Sequence, residues 1–183
     1  MVIFLDRDGV INEDREDFVK SWEEFFFIPG ALEGLSLLSR QGFKLFIITN
    51  QSAVGRGLIS DEILKGIHTR MLSDIESHGG RIEKIYYCPH HPNENCLCRK
   101  PKTGLMDIAR TEYDLSGEQA VCIGDSLRDL QAAWEAGCLP ILVKTGKGLK
   151  TLEEGGLPPQ TLIREDLQDA ARWIIAHGLS RNE

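Results

Sequence analysis

The chain has 183 residues, 42% of them hydrophobic, with 28 acidic against 21 basic side chains and a formal net charge of -7. That length suits one substantial core, and the acidic balance argues against a nucleic-acid partner, because a polynucleotide binder must neutralise phosphates. No run approaches the roughly 18 to 20 apolar residues of a membrane-spanning helix, and the apolar opening is too short for a signal-peptide core, so a cytoplasmic protein of one domain over 1–183, monomeric and without a membrane partner, is expected.

Val2 to Leu5 (VIFL) is a continuous apolar run that stops at Asp6, the pattern of a strand buried on both faces. After a polar stretch, Pro29-Gly30 opens a segment with Leu32, Leu35 and Leu38 at helical spacing, and Lys44 to Thr49 reads as a second buried strand. Ser60 is placed to cap a helix that begins Asp61-Glu62 and carries Ile63, Ile67, Met71 and Ile75 at intervals of four, ending near Gly79-Gly80. A third strand follows over 82–87, a helix over 104–113, a fourth strand over 120–123, a helix over 127–136 and a fifth strand over 139–143. The stretch 146–160, rich in Gly, Lys and Pro, reads as surface chain, and 166–177 as a terminal helix. Strands alternating with helices imply parallel pairing through right-handed crossovers, so the expected fold is α/β, a three-layer sandwich with a mainly parallel sheet.

In open α/β sheets the reactive crevice lies beyond the carboxyl ends of the strands. Asp6 and Asp8 follow the first strand, Thr49 the second and Asp125 the fourth. One Asp after a strand is usually a turn former or a helix cap; four polar groups at strand ends form a constellation.

The segment Asp6-Arg7-Asp8-Gly9-Val10-Ile11-Asn12 resembles the DxDG signature of the haloacid dehalogenase superfamily phosphatases. Phe46 to Gln51 resembles their second motif, Arg99-Lys100-Pro101 their basic third and Ile123 to Asp129 their fourth, in the expected order over residues 2 to about 145. The resemblance implies a magnesium-dependent phosphomonoesterase with Asp6 as nucleophile and Asp8 as general acid and base. Thr49 and Lys100 would bind phosphoryl oxygens, and Asp6, the Asp8 carbonyl and Asp125 would hold Mg2+, with Asp129 in support. A carboxylate attacking a phosphate dianion needs a cation between them, and hard oxygen ligands suit magnesium. Dehalogenases of the superfamily lack the second Asp, because a halide leaves without a proton.

Cys88, His90, Cys96 and Cys98 lie within eleven positions, with His91 as the alternative to His90. Four soft or borderline ligands can close a tetrahedral zinc site, so a structural Zn2+ is expected in a loop over 88–98 that runs straight into Arg99-Lys100. Cys122 and Cys138 read as buried thiols.

Taken together, the motifs are similar to D-glycero-D-manno-heptose 1,7-bisphosphate 7-phosphatases and, less closely, to histidinol-phosphatase domains, both of which lack a large cap domain. That resemblance implies a small phosphorylated sugar or polyol as partner, met by Asp14 and Asp17 of a flap over 13–17, Asn50, Gln51 and Arg56 of a second wall, and Arg99 and Ser126. Asp17-Phe18 stands where relatives often have Gly-Tyr, and Ser126 where some have Lys. A histidinol-phosphate phosphatase and a non-catalytic phospho-ligand binder are the alternatives.

Overall fold

The computed structural model describes residues 1–178; the last five residues of the expected 1–183 unit lie outside the described residues. Six parallel strands form one sheet in the order β3-β2-β1-β4-β5-β6. In chain order these are β1 (Val2–Leu5), α1 (Ala31–Arg40), β2 (Lys44–Asn50), α2 (Asp61–Ser77), β3 (Lys84–Cys88), α3 (Gly104–Glu112), β4 (Ala120–Gly124), α4 (Leu127–Glu135), β5 (Leu139–Val143), α5 (Gly148–Glu154), β6 (Leu162–Arg164) and α6 (Leu167–His177).

Both faces of the sheet are covered, and the period-2 alternation of side chains shows how. Ile3, Leu5, Leu45, Ile47, Val121 and Ile123 point to one face, where they pack with Leu35 and Leu38 of α1, Ile67 and Met71 of α2 and Ile174 of α6. Val2, Phe4, Phe46, Ile48 and Cys122 point to the other, against Leu105 and Met106 of α3 and Ala132 and Ala133 of α4. The expected three-layer α/β/α sandwich is therefore the observed one, and no helix among the described residues is long and apolar enough to cross a membrane.

Three expectations change. The stretch 146–160 contains α5, in which Gly148 and Thr151 are buried. Gly148 sits so close to the chain that a Cβ would meet the Val143 carbonyl oxygen at 1.7 Å, and Thr151 Oγ1 donates to the Asp125 carbonyl at 2.8 Å. A tertiary bond, not an apolar stripe, anchors this helix. Strand β6 follows it, three residues long and too short for a periodic signal. In α2 the buried stripe is Leu64, Ile67, His68, Met71 and Ile75, while Ile63, one position off that stripe, is 46% exposed. The Ser60 cap is as expected, its Oγ accepting from the Ile63 N–H at 3.3 Å.

Between β1 and α1 the chain makes a flap, pinned to the loop after β1 by an antiparallel bridge of Asn12 with Phe27. Stacked Trp22 and Phe25, with Phe27 edge-on, stiffen it. Among the described residues no large cap domain is inserted.

Candidate active site

A cleft of about 570 Å³ opens over the carboxyl ends of the central strands. Of the residues expected from the sequence, Asp6, Asp8, Asp14, Asn50, Gln51, Arg56, Arg99, Lys100, Asp125 and Ser126 line it. Thr49 lies just beneath, buried near the end of β2. Asp17 does not line it; its carboxylate pairs with Lys20 at 2.6 Å and Arg15 at 3.1 Å and is 61% exposed.

The carboxylates of Asp6, Asp125 and Asp129 have oxygens within 4.8 Å of one another. Lys100 is the cation that faces them, its Nζ 2.9 Å from Asp6 Oδ1 and 2.7 Å from Asp129 Oδ1, with a third bond to the Ile48 carbonyl at 2.6 Å. A buried lysine tends to lose its proton, yet the two carboxylates outweigh desolvation and its pKa rises above the ordinary value. Asn50 fixes this lysine's backbone from both sides: its Oδ1 accepts from Lys100 N at 3.1 Å and its Nδ2 donates to Lys100 O at 3.2 Å. Asp129, in the first turn of α4, is one half of a capping box with Ser126, whose N–H donates to Asp129 Oδ2 at 3.0 Å and whose hydroxyl donates to the same oxygen. Asp125 accepts the Lys147 N–H at 2.8 Å. Gly9, at φ 85, lets the loop after β1 pass against it; a Cβ there would meet Asp125 Oδ2 at 2.0 Å.

One ammonium does not balance three buried carboxylates. Desolvation by burial and repulsion from Asp129 and Asp6 raise Asp125 to about 8. Burial raises Asp6 to about 6, with Lys100 opposing and Asp129 and Asp8 adding. Surplus negative charge among hard oxygen atoms fits a divalent cation. The folded state therefore holds protons on Asp6 and Asp125 that the unfolded chain, with carboxylates near 3.8, has released. Stability of the Mg2+-free protein is thus expected to fall as pH rises from about 5 to 8. Added Mg2+ should raise the thermal midpoint more at pH 8 than at pH 5. Melts in metal-depleted buffer check this, and a midpoint that climbs through that window without Mg2+ would contradict it.

Asp8 has a different environment. Burial pushes its pKa up, but the Arg7 guanidinium and hydrogen bonds from Asn12 and Gln51 outweigh that and bring it below the ordinary value. Gln51 Nε2 donates to Asp8 Oδ2 at 2.7 Å and to Thr49 Oγ1 at 2.9 Å. Asn50 and Gln51, expected as substrate contacts, thus spend their amides on Lys100, Asp8 and Thr49. Arg99 presents a buried Nη1 that has no hydrogen-bond partner.

Arg7, Arg128 and Lys147 were not indicated by the sequence. Arg7 is 1% exposed beneath Asp8. Lys147 Nζ pairs with Asp14 Oδ2 at 2.6 Å across the cleft. His68, on α2, is pushed down to about 3 by burial and then by the Arg7 charge.

On the neighbouring loop, Cys88 Sγ lies 3.5 Å from Cys96 Sγ and 3.5 Å from His90 Nδ1, Cys98 Sγ 3.4 Å from Cys96 Sγ, and His90 Nδ1 3.2 Å from Cys98 Sγ. These are close to the roughly 3.8 Å edges of a tetrahedron with ~2.3 Å Zn–S bonds and far from a ~2.05 Å disulfide. His91 faces elsewhere, capping the short 3-10 turn Pro92–Glu94 through Nδ1. The loop is tied to the second wall, with Gln51 N donating to Cys88 O and Gly55 N to Pro89 O, both at 2.8 Å.

Comparison with known proteins gives two family models that match: one for polynucleotide kinase 3 phosphatase over residues 2–132, and a HAD-hydrolase-like model over residues 97–170. The chain is 47% identical over 176 residues to the D-glycero-beta-D-manno-heptose-1,7-bisphosphate 7-phosphatase of Bordetella bronchiseptica, covering 95% of this chain and 97% of that protein. It is 42% identical over 174 residues to the Pseudomonas putida enzyme of the same name, covering 95% and 99%. Among solved structures, the D,D-heptose 1,7-bisphosphate phosphatase from B. bronchiseptica complexed with magnesium and phosphate superimposes with a TM-score of 0.93 at 43% identity, covering 96% of this chain and 98% of that one.

Proposed function

As the chain belongs to the haloacid dehalogenase superfamily and to its heptose-bisphosphate phosphatase family, we propose that it hydrolyses the 7-phosphate of D-glycero-D-manno-heptose 1,7-bisphosphate, as a cytoplasmic monomer. The observation that carries the chemistry is the pairing at the end of β1: Asp6, held by Lys100 among carboxylates, and Asp8, two residues on and bound through Gln51 to Thr49.

Magnesium, when bound by Asp6, the Asp8 carbonyl and Asp125, supplies the positive charge that lets a carboxylate approach a phosphate dianion. Asp6 attacks phosphorus as the bond to the sugar oxygen breaks, and the protonated Asp8 carboxyl gives its proton to that oxygen. Water then attacks the aspartyl-phosphate; its proton goes to Asp8 and the bond to Asp6 breaks. Ionised Asp8 suits this second half, while the negative charge of an arriving phosphate favours the protonated form needed for the first. Thr49 and Lys100 hold the phosphoryl oxygens as hydrogen-bond donor and point charge. Asn50 and Gln51 fix those groups in place. The unpartnered Arg99 Nη1 supports a role for Arg99 at the distal phosphate, with Arg56 and Asp14 lining the same cleft, while the buried Ser126 spends its hydroxyl on Asp129.

Cys88, His90, Cys96 and Cys98 would hold Zn2+. Its part is structural: the loop it closes ends one residue before Arg99 and two before Lys100.

With Mg2+, phosphate release from the heptose bisphosphate is expected to exceed that from histidinol phosphate, fructose 1,6-bisphosphate and a 3'-phosphorylated oligonucleotide by at least about tenfold in kcat/KM. Preference for histidinol phosphate would overturn the substrate and leave the chemistry. Preference for the oligonucleotide would favour the family named by the longer matching model.

A further inference from the structure

We propose that Arg7 and His68 are positioning residues for this reaction, a buried brace that sets the Asp8 carboxylate relative to Thr49; the proposal rests on Asp8 acting as acid and base. Arg7 is the largest fully buried side chain of the described residues. Its Nη2 donates to Asp8 Oδ1 at 2.8 Å and Oδ2 at 3.0 Å, and its Nε reaches Oδ1 at 3.3 Å. The opposite end of the fork, Nη1, lies 3.1 Å from His68 Nε2. A guanidinium can only donate, so Nε2 accepts and the imidazole is neutral with its proton on Nδ1. His68 is itself confined, with Tyr87 edge-on at 5.7 Å and the Tyr87 hydroxyl bonded to Asp61 at 2.6 Å.

The remaining acceptor positions of Asp8 are filled by Asn12 Nδ2 at 2.9 Å and Gln51 Nε2 at 2.7 Å. Donors from the loop after β1 and the end of β2 thus converge on one carboxylate, with α2 behind them through His68. A buried ion pair is by itself weak evidence of a contribution to stability. What this arrangement supplies is orientation: an acid or base must lie within hydrogen-bond reach of its proton, and a misplacement of about 1 Å can cost on the order of 10²-fold in rate.

The test uses 4-nitrophenyl phosphate, whose leaving group departs without a proton, in stopped-flow and steady-state assays with Mg2+. Arg7→Lys keeps the charge and loses the fork; His68→Leu keeps the bulk and loses the acceptor; His68→Gln keeps an acceptor oxygen. Arg7→Lys and His68→Leu are expected to release about one equivalent of nitrophenolate at the parent's rate and then turn over about 10- to 100-fold more slowly, with kcat/KM unchanged, so that KM falls in step with kcat, and with His68→Gln largely restored. Loss of burst and turnover together, or unchanged turnover in His68→Leu, would overturn the brace. Should Arg7→Lys not fold, the two His68 variants decide alone. Asp8→Asn is run alongside: if it turns over like the parent, the acid-base reading itself falls, whereas if it alone stalls after a burst, only the brace does.

Discussion

Asp6→Asn is expected to abolish phosphate release, by on the order of 10⁴-fold or more, in a protein that is at least as stable as the parent without metal. The amide has nearly the shape of the carboxylate but cannot act as the nucleophile. It also removes one negative charge from a site where burial and two neighbouring carboxylates raise Asp6 to about 6. Lys100 keeps its bonds to Asp129 and the Ile48 carbonyl, so the lysine is not orphaned. Repulsion falls, and the stabilisation conferred by Mg2+ should shrink with the lost ligand. Phosphate release and melts with and without Mg2+ measure both effects. Activity within tenfold of the parent would remove Asp6 from the role of nucleophile.

Cys98→Ser is expected to reduce bound zinc from about one per chain to a small fraction, and to lower stability by on the order of 3 kcal/mol or more, since structural zinc sites contribute folding energy outright. At roughly 2–4 °C per kcal/mol for a chain of this size, the midpoint should drop by about 10 °C. The activity should fall with it, because Lys100 follows Cys98 by two residues and Lys102 Nζ ties back to Asn95 Oδ1 at 2.8 Å and the Cys96 carbonyl at 2.8 Å. Elemental analysis, melts and kinetics together check the point. Full zinc content with the parent midpoint would exclude Cys98 as a ligand.

What could be read from the residues was whatever is local in the chain. Asp6 and Asp125 each follow an apolar run and the Cys/His cluster falls within eleven positions, so their grouping was visible in the chain, while the roles expected of them came from the family resemblance. Arg7 could not be read in this way: an arginine in a loop normally belongs to the surface, and the acceptor behind it, His68, is 61 residues away. Helix α5 escaped for a similar reason, since its anchor is Thr151 on the Asp125 carbonyl. Asp14 and Asp17, both expected at the substrate, parted because one found Lys147 across the cleft and the other Lys20 three residues along its own loop. A charge run in sequence does not say which of its members turn inward.

The order of the sheet places Asp6 and Asp125 just past the ends of adjacent central strands, β1 and β4, whereas the flap, the second wall and the Cys/His loop all follow the ends of β1, β2 and β3. The carboxylates proposed for nucleophile and metal and most of the proposed substrate contacts thus come from different connections, with Thr49 and Lys100 joining the carboxylates from the β2 and β3 side. Substitutions in the flap and the second wall are therefore expected to alter which ester is accepted while the carboxylates stay at the ends of the fully buried strands β1 and β4.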